Sequence, residues 1–323
     1  MIRDQWYAVL ESKEVPKGKP VAFLRMGEKL VFWRSSDGAV HCFLDKCAHR
    51  GVQLSVGIVI KDVIRCPFHG LEYDVSGKCT VIPANGRTAP VPSNFRMKAY
   101  ATAESMGFIW IFWGERTDRL PPLPAFDDLT DDFTYVTVKD YWDTHYSRAI
   151  ENQLDAPHVP FVHHNTIGRG NRTTMDGPLV EWVGKDKFFV YAHMHREDGT
   201  LAIKPDKMKK PNVPFKLEFA FPNVWQNHIA ESVRVLVAFA PVDDVHTILY
   251  LRFYQKFMKA PLLRKWFAWL AMPFNITVAH QDRRVVVTQQ PKASGLSIGE
   301  NLFPGDGPII AYRRRRDELM EGK

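Results

Sequence analysis

The sequence predicts an α+β protein in two parts. An all-β module spans residues 1–118, and an antiparallel sheet joined by helices spans 119–323. Three observations carry this prediction. Short β-rich runs punctuated by turn residues fill the first 115 positions. A stiff proline-rich stretch, Leu120-Pro121-Pro122-Leu123-Pro124, follows them. The remainder mixes longer strands with helical segments. A chain of 323 residues is long enough for two cores.

In the first part, Val21–Leu24, Leu30–Trp33 and Val40–Leu44 are rich in β-branched and aromatic residues. Lys17-Gly18, Gly27 and Asp37-Gly38 supply the turns between them. In the second part a polar helical stretch runs from Thr144 to Asp155. Strands are expected over Lys187–Arg196, Phe215–Phe221, Ser232–Ala240 and His246–Lys256, with turns at Glu197-Asp198-Gly199 and Val242-Asp243-Asp244. A C-terminal helix should end before Pro291. Trp266–Val278 is the most apolar run, but Pro273 and Asn275 interrupt it, so it reads as a buried helix and not as a membrane span. No internal repeat or low-complexity segment is visible.

Composition is that of ordinary globular material, 45% hydrophobic and 24% charged. The net charge of +7 is modest and densest at Arg313-Arg314-Arg315-Arg316. That run reads as a solvated helix face or as a docking patch for an acidic redox partner. No basic–aromatic motif accompanies it, which argues against nucleic acid. Met1-Ile2-Arg3-Asp4-Gln5-Trp6-Tyr7 has no charged-then-apolar signal pattern, so a cytoplasmic location is expected.

Two short motifs carry the most specific chemistry. Cys47-Ala48-His49 and Cys66-Pro67-Phe68-His69 each pair one cysteine with one histidine. Two thiolates on one iron and two imidazoles on the other form the ligand set of a Rieske [2Fe–2S] cluster. A zinc site is the alternative, but zinc fingers group their cysteines together and their histidines together. Gly51 and Gly70 follow the motifs and allow tight turns close to a cluster, while Pro67 stiffens the second loop. Cys42 and Cys79 remain and read as core thiols.

A second metal site is suggested by the stretch from Glu151 to His164. His158 and His163 do not share a face of a regular helix, but Pro157 and Pro160 break one and let a turn bring the imidazoles together. Two histidines and a carboxylate make the facial triad that holds non-heme Fe(II). Alone, the segment reads more readily as a His-rich loop with ordinary hydrogen bonds. Candidates for the carboxylate are Glu151, Asp155 and the remote Asp282. Val278, Asp282, Val285 and Gln289 lie on one helix face, where a buried aspartate must bind metal or pair with an arginine.

From His49-Arg50-Gly51 to Ile82-Pro83, and again at Gly107–Gly114, the chain resembles the Rieske domain of ring-hydroxylating and demethylating oxygenases. Val52 and Phe68 stand where respiratory Rieske proteins carry a disulfide, so the cluster resembles the oxygenase type. Asn152, Asp155, His158 and His163 resemble the family's N-x-x-D-x-x-H-x-x-x-x-H motif, and Gln281–Val287 resembles the helix that supplies its third ligand, although many relatives carry an acid in place of Gln281. The resemblance implies a helix-grip (START-like) catalytic domain after the Rieske domain. It implies His158, His163 and Asp282 as iron ligands. Asp155 would bridge His158 to His69 of a neighbouring subunit in a homotrimer. His164 is then expected to form a hydrogen bond outside the ligand set.

The activity implied is that of an oxidoreductase, a monooxygenase or demethylase that uses O2 on a small apolar molecule. Electrons would come from a ferredoxin or flavin reductase, with NAD(P)H involved only indirectly. A ring cis-dihydroxylating dioxygenase is the alternative, and an electron-transfer protein with a binding module is the alternative from another class. Candidate substrate contacts are Asn152, His193 and His195. His193 and His195 share a strand face with Phe189 and Tyr191, and Phe215, Leu217, Phe219 and Phe221 share another, mostly as core.

Overall fold

A computed structural model describes residues 1–115, 119–212 and 215–322. The fold class is the predicted one: a unit of short strands without an α-helix among its described residues over 3–123, then from Pro124 onward a unit built on one large antiparallel sheet. The expected boundary at 118–119 abuts residues 116–118, which lie outside the described residues.

The first unit has eleven strands among its described residues: β1 (Trp6–Glu11), β2 (Val21–Arg25), β3 (Glu28–Arg34), β4 (Val40–Leu44), β5 (Ile58–Ile60), β6 (Val63–Arg65), β7 (Glu72–Asp74), β8 (Cys79–Val81), β9 (Ala99–Tyr100), β10 (Thr102–Ser105) and β11 (Phe108–Phe112). They form three antiparallel sheets, ordered β1-β11-β10, β2-β3-β4-β9 and β5-β6-β7-β8. β1 and β11 are buried along their whole length, which is why they read as continuous apolar runs rather than alternating ones. Val31, Trp33, Phe43, Leu54, Ile64, Leu71, Tyr73 and Cys79 form a core against which Cys47 and Cys66 are packed. Cys42 and Cys79 are buried free thiols.

The second unit holds β12 (Thr134–Trp142), β13 (Thr174–Trp182), β14 (Lys187–His195), β15 (Lys216–Ala220), β16 (Val224–Ala230), β17 (Val233–Pro241) and β18 (Thr247–Gln255), in the order β12-β18-β17-β16-β15-β14-β13. Its helices are α1 (Tyr146–Leu154), α2 (Val159–Val162), α3 (Pro261–Val286) and α4 (Gly307–Met320). α3 lies against β12 and β18, α4 against β13, and α1 against β17, α3 and α4. β18 is buried at every position, as befits a strand next to the sheet's edge with a helix over one face.

Some expectations need correction, although the helix expected to end before Pro291 does so: α3, which also contains Trp266–Val278, stops at Val286. Its apolar run is not buried: Trp266, Trp269 and Phe274 are exposed. Neither reading of the arginine run holds throughout. Arg313 and Arg316 are buried, because residues three apart share a helix face and this one turns inward. Phe215 is exposed, whereas Leu217, Phe219 and Phe221 are buried.

Candidate functional site

The two cysteine–histidine loops fold alike. Cys47 ends the approach from β4 and Cys66 follows β6. Each donates its N–H to the carbonyl five residues on, Val52 at 2.8 Å and Leu71 at 2.8 Å. Each accepts a bond from the glycine four residues on, Gly51 at 2.9 Å and Gly70 at 3.1 Å. Both glycines have φ above +70°, a conformation that costs other residues energy, so the shared C-(x)3-G spacing follows from the turn.

This geometry buries both thiols and exposes both imidazoles. The thiols stand in contact with each other, and the Tyr73 hydroxyl lies 3.1 Å from Cys47 Sγ. Burial pushes the Cys66 thiol up, while the N–H groups of Phe68 and His69 favour its thiolate. His49 and His69 turn their Nδ1 atoms toward one another at 3.2 Å. Two soft donors inside and two nitrogen donors at the rim match the donor set of a [2Fe–2S] cluster of the Rieske kind.

The second centre is built by α1, α2 and α3. Asp155 caps the C-terminus of α1, and His158 and His163 flank the single turn of α2. Asp282 projects from α3. His163 Nε2 lies 2.9 Å from Asp282 Oδ1, His158 Nε2 lies 3.3 Å from it, and the two Nε2 atoms are 3.3 Å apart. Asp282 is 3% exposed, and its Oδ1 accepts no hydrogen bond. Gln153 Nε2 reaches the other carboxylate oxygen at 3.3 Å.

The electrostatics point the same way. Burial disfavours a charged His158, but Asp155 and Asp282 outweigh it and hold its pKa up to about 9. Burial also favours a neutral Asp282, yet His158 and His163 hold its pKa down to about 2. Two imidazoles gathered on one carboxylate, with one orphaned buried oxygen among the donors, make a site that favours positive charge and fits a divalent metal.

The surroundings set the tautomer. His163 Nδ1 lies 2.8 Å from Gln281 Oε1, which also accepts the Thr166 hydroxyl at 2.7 Å. The Gln281 amide nitrogen donates to Asn165 Oδ1 at 2.6 Å. Asp155 accepts the backbone N–H of His158 at 3.2 Å and stands 3.6 Å from its Nδ1, longer than a hydrogen bond. His164 is exposed, and its Nδ1 lies 3.1 Å from the Phe161 carbonyl.

Other candidates are placed elsewhere. Glu151 is held by both arms of Arg313, at 2.7 and 2.8 Å, so it is committed to α4. Buried Arg148 and, at the solvent-facing end, Glu300 complete that network. Asn152 lies on the same turn of α1, with its Nδ2 buried and without an acceptor. His193 and His195 stack on each other at 6.0 Å; His195 faces Asp176 and Arg196, not the three donors.

Sequence reasoning missed Asp128, Glu218 and His228, which also converge. Lys187 (2.9 Å from Glu218) and Arg234 (3.2 Å from Asp128) already neutralise that group. An acid, an amide and an imidazole on adjacent strands, Glu218, Gln226 and His228, were its available signal.

Residues 5–98 match the Rieske [2Fe-2S] domain family, and residues 142–322, more than half the chain, match the vanillate O-demethylase oxygenase C-terminal domain family. Methylxanthine N1-demethylase NdmA of Pseudomonas putida is 27% identical over 330 residues, covering 99% of this chain and 90% of that one. Its structure with caffeine superposes with a TM-score of 0.78 at 25% identity, covering 98% and 90% of the two chains. Chlorophyllide a oxygenase of Chlamydomonas reinhardtii is 36% identical over 172 residues, 52% of this chain. The chain spans 26% of that protein's length, and 60% and 58% of protein TIC 55 of Arabidopsis thaliana and Pisum sativum. Taken with the two donor sets, these matches identify the chain as a member of the Rieske oxygenase family that carries the vanillate O-demethylase type of C-terminal domain.

Proposed function

We propose that the protein is a Rieske-type oxygenase that hydroxylates or oxidatively demethylates a small, largely apolar organic molecule. The observation that carries the reading is the convergence of His158 Nε2, His163 Nε2 and Asp282 Oδ1 in the same chain as a Rieske domain. Cys47, His49, Cys66 and His69 would hold the [2Fe–2S] cluster, and His158, His163 and Asp282 the Fe(II). When bound, the cluster supplies single electrons and the iron supplies the place where O2 is reduced.

The chain's own residues do the rest. Gln281 keeps the His163 proton on Nδ1, so Nε2 is free as a ligand. Asp155, beside His158, is our candidate for the bridge between the centres, from His158 to His69 of a neighbouring copy. His69 and Phe68 are exposed, which supports a head-to-tail homotrimer. The orphaned Asn152 Nδ2 supports a role in substrate contact.

Electrons would come from a ferredoxin or a flavin reductase, with NAD(P)H upstream. Among the described residues no helix is long and apolar enough to cross a membrane. Free thiols at Cys42 and Cys79 support a reducing compartment such as the cytoplasm. The likeness to a named N-demethylase over nearly the whole chain favours demethylation over ring dihydroxylation.

The test is substrate-dependent O2 consumption with a generic reductase and NADH, run over N-methyl, O-methyl and unsubstituted aromatic compounds, with products read by mass spectrometry. Loss of product in Asp282→Ala with the visible cluster spectrum intact is expected. Full turnover in that variant would overturn the ligand assignment, and a cis-diol product would select the dioxygenase.

A further inference from the structure

The helix that presents Asp282 on one side presents an apolar surface on another. In α3, Leu263, Trp266, Leu270 and Phe274 recur at helical spacing, with Trp269 beside them. They are 52, 59, 47, 53 and 61% exposed in that order. Ala268, Met272, Asp282 and Val286 are buried, so packing on β12 and β18 accounts for the inward side and leaves the aromatic side outward. Two indoles more than half exposed on adjacent turns are not the scattered surface apolars of an ordinary protein.

Charge narrows what could cover this face. From Val245 to Gln281 the sequence contains no aspartate or glutamate. Lys256 in that span is paired with Asp132 at 3.5 Å, but Lys259, Arg264 and Lys265 lie beside the apolar face, and Lys259 and Lys265 are exposed. Indoles and leucines flanked by lysines, with no acid among them, suit an anionic lipid surface. Indole rings settle at the level of the headgroups, and ammonium groups pair with lipid phosphates. A second copy of the chain would have to bring an acidic surface to this face, and a face-to-face pair would set the same lysines against each other. No helix among the described residues can cross a bilayer, so the helix would lie on it.

We propose that the outward face of α3, centred on Trp266, Trp269 and Leu270 and flanked by Lys259 and Lys265, docks on an anionic lipid bilayer. Asp282 follows Phe274 by about 12 Å along the helix axis, so docking holds the His158–His163–Asp282 group beside the membrane surface.

The test is flotation of the full chain with phosphatidylcholine vesicles, with and without about a third phosphatidylglycerol. The protein should float with the anionic vesicles, and less so at high salt. Trp266→Ser/Trp269→Ser should cut the bound fraction at least about tenfold, and Lys259→Glu/Lys265→Glu should remove the preference for anionic lipid. Thermal melts check that the exposed-site variants fold, and quenching of the unaltered protein's tryptophans by brominated lipid needs no variant. Absence of flotation, or equal flotation of the Trp variant, overturns the proposal. So does a drop in molar mass in that variant without vesicles, which assigns the face to a second copy.

Discussion

Gln281→Leu should weaken divalent metal binding at His158, His163 and Asp282 by one to two orders of magnitude. The geometry permits one amide orientation. The oxygen lies 2.8 Å from His163 Nδ1 and 2.7 Å from the Thr166 hydroxyl, and the nitrogen faces Asn165 Oδ1 at 2.6 Å. An oxygen that accepts twice fixes a His163 proton on Nδ1 and makes Nε2, 2.9 Å from Asp282, the nitrogen available to a metal. Leucine fills nearly the same volume but accepts nothing. It strands an imidazole N–H in a residue 1% exposed, at a cost of about 1–3 kcal/mol. At 1.4 kcal/mol per decade that is roughly 5- to 150-fold in Kd. Gln281→Glu keeps the acceptor and adds negative charge, so it should bind metal more tightly than the parent. The assay is Co(II) titration against a competing chelator, with the [2Fe–2S] spectrum recorded as an internal control. A Leu variant within twofold of the parent would refute the reasoning, because the amide would then have no part in orienting His163.

Three further outcomes are expected. Tyr73→Phe removes a hydroxyl 3.1 Å from Cys47 Sγ; losing about 1 kcal/mol of stabilisation of the reduced cluster lowers its midpoint potential by roughly 40 mV, read by spectroelectrochemistry. Glu151→Gln leaves the buried Arg148 and Arg313 sharing Glu300 alone, so chemical denaturation should show a loss of about 3–5 kcal/mol, much of it recovered in Glu151→Gln/Arg313→Met. His145 caps α1 as a neutral ring, its pKa lowered to about 3 by burial and by Arg316 and Arg148. A folded pKa below the unfolded 6.5 gives stability that is present above pH 6.5 and lost as pH falls toward 3, roughly 3 kcal/mol by pH 4, and His145→Asn should flatten that loss in urea melts.

What the sequence disclosed, and what it hid, divides along a physical line. The two cysteine–histidine loops were readable as a candidate cluster site because thiolate and imidazole ligands must be those residue types, and Gly51 and Gly70 take positive φ. His158 and His163 were readable because Pro157 and Pro160 force a turn between them. β13 was hidden by Gly177-Pro178, which sits at a bulge in an edge strand where proline removes no needed ladder bond. Periodicity placed Asp282 on a helix face, but it could not say which other faces had neighbours. That is why Trp269 and Trp266 read as buried and are exposed, whereas Arg313 and Arg316 read as solvated and are buried. The partners that decide these cases are far away in the chain: Glu151 lies 162 residues from Arg313, and His163 lies 118 residues from Gln281. A ligand type is a local property of the chain, but the partner that neutralises or orients it is a property of packing. The residues most worth mutating, Gln281 and Glu151, are therefore those whose roles only the packing of α1, α2, α3 and α4 reveals.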